Sequence, residues 1–199
     1  MKRSEVRRIV EKRIKEFERT GRSDWKRLFS ELCFCILTAN FRADKCIEIQ
    51  RKIGSDFISL GEKQLEEKLR ELGYRFSRSR AKYIVEARKY AKCLKIFLES
   101  FKSEEEAREW LVKNVKGLGM KEASHFLRNI GCKNLAILDF HVLSVLKRHG
   151  IIGEIPRNLG KKRYTEIEKK LREIAKELGI SLAELDLYLW YLETGRITK

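Results

Sequence analysis

The sequence predicts an all-α fold, and three observations predict it. Apolar residues recur at helical spacing while no segment reads as a convincing strand. The chain holds one proline, Pro156. Its breaks are instead marked by glycines such as Gly54, Gly73, Gly131, Gly150 and Gly179, which fit the positions just past helix ends.

The elements follow in order. Val6, Ile9 or Val10, Ile14 and Phe17 share one face of a first helix, and Trp25, Leu28, Phe29, Leu32 and Ile36 share one face of a second. Ser103 with Glu106 and Ser181 with Glu184 read as capping boxes, each ahead of an apolar helix. The helix opened by Ser103 ends near Asn114, and another starts around Met120 and runs to Ile130. Asp139 is placed to cap the helix in "FHVLSVLKRH", and "LAELDLYLWYLETG" forms the last one. No internal repeat or low-complexity linker interrupts the series, which amounts to about ten helices.

Composition narrows the function classes. The 199 residues can bury one substantial core or two small ones that share an interface. Lys and Arg total 45 against 29 Asp and Glu, giving +16, the electrostatic footprint of a protein that meets phosphates. A densely charged, solvated surface of the kind found in heat-stable proteins accounts for part of it, since Gln is nearly absent (Gln50, Gln64). The N-terminus lacks the apolar run of a signal peptide, and no window reaches the roughly 18 apolar residues of a membrane span, so a cytoplasmic protein is expected. Five cysteines (33, 35, 46, 93 and 132) form no Cys-x-x-Cys pair, which argues against a zinc site or disulfide framework. Cys33 and Cys35 lie in "LCFCIL", best read as core. No metal and no cofactor are expected.

The stretch "SEEEAREWLVKNVKGLGMKEASHFLRNIG" carries the chemistry. It reads as helix, glycine hairpin, helix, with Leu111, Val115, Leu118, Ala123, Phe126 and Leu127 as the packing frame. Gly117 and Gly119 are expected to supply backbone angles closed to other residues and to let a phosphate approach the amides. The start of the second helix adds an anion site, so the hairpin can grip a nucleic-acid backbone without reading its sequence. Lys121 sits in the first turn of that helix, where the macrodipole disfavours a cation.

These residues, with Asp139 in "ILDFHV", resemble the helix-hairpin-helix DNA glycosylase superfamily. Within it, "GLGMKEASHFLRNIG" and a chain ending in lysine resemble the type 2 8-oxoguanine DNA glycosylase/AP lyases. The resemblance covers most of the chain and is strongest from 103 to 145. It implies two helical subdomains with the active cleft between them. One spans 22–134 and holds the DNA-inserting loop near "LTANFRADKC" and the hairpin motif at about 104–130; the other combines 1–21 with 135–199. Lys116, Gly117, Gly119, Asn40 and His141 are then expected to contact DNA, and His125, Asp186, Trp190 and Lys199 to stand near the lesion pocket. His125 also reads as a satisfied core histidine, Asn40 as a helix C-terminal residue, and Trp190, like Trp25 and Trp110, as core. Other branches of the superfamily carry four C-terminal cysteines for an iron–sulfur cluster; here no cysteine follows Cys132, so no cluster is expected.

The residues support that chemistry. The helix from 120 to 130 spans roughly 16 Å, and 131–138 reach up to about 26 Å when extended, so Asp139 can return beside Lys121. A helix N-terminus, partial burial and cationic neighbours such as Lys116 would favour the unprotonated amine that a nucleophile needs. The implied reaction is attack on C1′ of a flipped nucleotide, with Asp139 stabilising the cationic sugar-like transition state. Alone, Lys121 reads as a solvated side chain and Asp139 as a helix cap; their joint spacing in the hairpin context favours catalysis. The expected partner is double-stranded DNA bearing oxidised guanine, acted on by a monomer at the nucleoid of a prokaryotic cell. Two other readings stand: a glycosylase for another oxidised base, and a non-catalytic hairpin module that binds DNA.

Overall fold

The computed structural model describes residues 3–197. Among them run twelve helices and no strand: α1 (Arg3–Gly21), α2 (Trp25–Thr38), α3 (Ala43–Ile53), α4 (Asp56–Ser59), α5 (Glu62–Glu71), α6 (Ser77–Ala91), α7 (Leu94–Ser100), α8 (Glu104–Asn114), α9 (Met120–Asn129), α10 (Phe140–Arg148), α11 (Lys161–Glu177) and α12 (Leu182–Thr194). Two more helices occur than the sequence suggested. Short ones such as α4 and α7 complete at most two turns, too few for a 3.6-residue period to show. None of the helices is long and apolar enough to cross a membrane.

Helix α2 is the axis of the largest apolar cluster. Its residues from Leu28 to Thr38 are buried except Ser30, and it packs against α3, α6, α7 and α9. A second cluster joins Leu138 and Val142 to Tyr164 and Leu171 of α11 and Leu185 of α12. A third packs Val6, Val10 and Phe17 of α1 on Leu187 of α12, so these two helices meet.

One buried polar network ties α8 to α11. Arg108 donates to both oxygens of Glu168, at 2.6 and 2.9 Å, and to Ser124. Glu168 also accepts the Ala136 N–H at 2.9 Å, and the Tyr164 hydroxyl donates to the Ala136 carbonyl at 2.6 Å. A buried ion pair holds only when its remaining hydrogen-bonding capacity is met, and here the segment 135–138 meets it. That segment therefore runs in a fixed course to Asp139.

Local signals are realised unevenly. Ser181 and Glu184 form both halves of a capping box. Ser103 accepts from Glu106 N–H, but the Glu106 carboxylate reaches back one residue further, to Lys102 N–H. Residues 115–119 join α8 to α9 as a hairpin. Gly117 has φ +88°, and a Cβ there would lie 2.7 Å from the Tyr83 ring, so only glycine fits. Gly119 departs from expectation: with φ −93° and ψ −172° its backbone is open to any residue.

Candidate active site

A cleft of about 900 Å³ opens between the first two clusters. From the side of the α2 core it is lined by Asn40, Arg42, Arg75, Lys121 and His125, and from the other by Asp139, His141, Arg157, Asp186 and Trp190. Seven of these are residues singled out from the sequence and its resemblance: Lys121 and Asp139 as catalytic, Asn40 and His141 as DNA contacts, and His125, Asp186 and Trp190 as neighbours of the lesion pocket.

Lys121 is the second residue of α9, about a quarter exposed, with its amine 3.1 Å from Glu122 Oε1. The other oxygen of Glu122 accepts the Gly119 N–H at 3.1 Å. The hairpin amide at Gly119 is therefore already taken by a carboxylate. Lys116, the expected cationic neighbour, is exposed and pairs with Glu86 at 3.0 Å. Asp139 is the N-cap of α10, and its Oδ1 accepts Val142 N–H at 2.8 Å. Both proposed catalytic groups thus stand at helix N-termini and line one cleft.

A buried pair, Arg128 and Asp186, 3.2 Å apart, lines the same cleft. Arg128 also stacks over the Phe17 ring at 4.6 Å. Burial pushes the Asp186 carboxyl up to about 6; Arg128 opposes this and the charge of Asp139 adds to it. Burial likewise works against the charge on Arg128. His125 is buried with its ring edge on Phe34 at 5.5 Å while lining the cleft, so the core and pocket readings both describe it. Trp190 is half-buried and meets His141 edge to face at 4.8 Å, which takes it out of the simple core to which its spacing assigned it.

Asn40 is exposed at φ +60°, the sole non-glycine residue with positive φ among those described. Its turn is held from a distance: Tyr74 donates to the Leu37 carbonyl at 2.6 Å, Arg80 to Ala39 at 3.0 Å and Arg75 to Asn40 at 3.5 Å. Sequence reading missed Arg42, Arg75, Arg157 and Phe140. The interleaved basic and aromatic residues of "GYRFSRSR" were an available signal. Phe140 is 68 % exposed although it lines the cleft. Lys199 lies outside the described residues.

The family profile for 8-oxoguanine DNA glycosylase matches residues 10–180. The chain is 54 % identical to the 8-oxoguanine DNA glycosylase/AP lyase of Korarchaeum cryptofilum, across all of this chain and 94 % of that protein. It is 51 % identical to the enzyme of that name in Methanocaldococcus jannaschii, across all of this chain and 96 % of that one. Among solved structures, the Methanocaldococcus jannaschii 8-oxoguanine glycosylase/lyase in complex with a 15mer DNA containing 8-oxoguanine is similar at a TM-score of 0.94, with 50 % identity over 97 % of this chain and 93 % of that one. The Thermotoga maritima 8-oxoguanine DNA glycosylase superposes at 0.93, with 48 % identity over 99 % of this chain and 94 % of that one.

Proposed function

From the premise that the chain belongs to the 8-oxoguanine DNA glycosylase family, we propose that it excises 8-oxoguanine from double-stranded DNA and nicks the resulting abasic site, with Lys121 as nucleophile and Asp139 as its partner. The observation that carries this reading is the meeting of Lys121 and Asp139 in one cleft, each presented by a helix N-terminus.

The free amine of Lys121 attacks C1′ of the flipped nucleotide. The N–C1′ bond forms as the bond from C1′ to the base breaks, and the departing base carries off the electron pair and takes up a proton. Opening of the sugar ring leaves a Schiff base between Lys121 and C1′. Loss of a C2′ proton then expels the 3′ phosphate by β-elimination and nicks the strand. Asp139 supplies a fixed negative charge facing the cationic sugar, and its placement costs nothing during reaction because the helix cap and segment 135–138 already hold it.

The remaining roles rest on the resemblance to the family. Lys116, Gly117, Gly119, Asn40 and His141 contact the DNA, while His125, Asp186 and Trp190 face the flipped base. Lys199 joins them on resemblance alone. Residues 22–134 act as one subdomain and 1–21 with 135–199 as the other, working as a monomer in the cytoplasm.

Borohydride reduction of the Schiff base tests the nucleophile. Wild-type protein should be trapped on 8-oxoguanine duplex, and Lys121→Gln should give neither adduct nor excision while still binding that duplex. Trapping of the variant at wild-type yield would overturn the assignment.

A further inference from the structure

Glu122 is the carboxylate in ion-pair contact with the amine of Lys121, and nothing in the reaction as described uses it. Its two oxygens are divided: Oε1 lies 3.1 Å from Lys121 Nζ, and Oε2 accepts the Gly119 N–H at 3.1 Å. Consecutive helix residues do not face each other, so helical geometry alone does not supply this contact. The side chain of Glu122 is 13 % exposed and that of Lys121 is 26 % exposed, which sets the pair apart from the solvated ion pairs of the surface.

The position suits an anion. Glu122 is the third residue of α9, where the helix dipole favours negative charge and a carboxylate closes the cap. Lys121, one residue earlier, occupies a place the dipole disfavours for a cation. One side chain thus holds the direction of the nucleophile while bonded to the hairpin backbone.

Resting on the assignment of Lys121 as nucleophile, we propose that Glu122 is the positioning residue of this active site, tying the aim of the amine to the hairpin backbone through the Gly119 N–H. The hairpin that seats the DNA backbone and the amine that attacks C1′ then share one rigid link. Effective attack requires the reacting atoms to be held in near-attack geometry, and a misplacement of about 1 Å costs on the order of 10²-fold in rate.

The test is Glu122→Gln, which keeps the shape and can still accept the Gly119 N–H but turns an amide toward Lys121. Single-turnover excision and borohydride trapping on 8-oxoguanine duplex should slow by about 10- to 100-fold, with Kd for that duplex and Tm close to wild type. Glu122→Asp, shorter but charged, should recover part of the rate. Wild-type rates for Glu122→Gln, equal rates for the Gln and Asp variants, or a loss matching weakened binding or a lowered Tm would overturn the role. Lys121→Gln, run alongside, separates the two readings: trapping by that variant refutes the nucleophile, whereas its silence beside a fully active Glu122→Gln refutes the positioning residue alone.

Discussion

The carboxylate of Asp139 has two surroundings: Oδ1 caps α10 through Val142 N–H, and the residue lines the cleft that Lys121 also lines. The roles separate by substitution, because Asn caps a helix about as well as Asp. Asp139→Asn should leave Tm nearly unchanged and slow single-turnover excision by about 10²-fold or more; a fall in Tm that accounts for the lost activity would leave only the cap. Asp186 offers a second test at this scale. Its carboxyl titrates near 6 in the folded protein against an ordinary 3.8, so between those values the folded chain holds more protons than the unfolded one. Its contribution to stability is fully present below about pH 4 and is lost as pH rises through about 6, a difference on the order of 3 kcal/mol. Asp186→Asn cannot titrate. Urea melts from pH 4 to 7 should therefore show wild type losing stability relative to the variant across that window, and parallel curves would contradict the assignment.

At the scale of elements, the segment before Asp139 depends on residues far away in sequence. Glu168→Ala would leave Arg108 buried without the carboxylate it is hydrogen-bonded to, a loss of about 3–5 kcal/mol, which for a chain of this size is roughly a 10 °C fall in Tm. Calorimetry checks it, and a fall of only a degree or two would mean that the network relaxes. The Ser103 box shows how far local rules reach. Its serine half is legible because N-cap geometry is set by adjacent backbone, while the glutamate's choice of Lys102 depends on how the chain enters α8. Gly117 was legible as a required glycine. Gly119 was not, since the φ that a glycine adopts is fixed by the packed hairpin.

At the scale of the whole molecule, +16 spread over 199 residues is a property of the surface as a body. If that surface tracks DNA phosphates, log Kd plotted against log salt should be linear, each phosphate neutralised contributing about 0.9 to the slope. Titrations of lesion and undamaged duplex between low and moderate salt should give similar slopes, because phosphate contacts position without specifying. A flat response would assign the charge to solvation alone.

What the sequence by itself determined is whatever depends on neighbours along the chain. Helical periodicity, the Ser181 box, the cap at Asp139 and the place of Lys121 in the first turn of α9 all rest on interactions within about four residues. The tertiary structure decided the rest. Arg128 meets Asp186 across 58 positions, Arg108 meets Glu168 across 60, and the turn at Asn40 is held by Arg75 and Arg80 from α6 and the loop before it. No spacing encodes these meetings, because side chains of any sequence separation become neighbours once apolar faces are buried against each other. The contact between Lys121 and Glu122 stands between the two: the bond from the Gly119 N–H to Glu122 is the local half of a capping box, three residues apart, whereas the side chains of consecutive helix residues do not face each other by helical geometry alone.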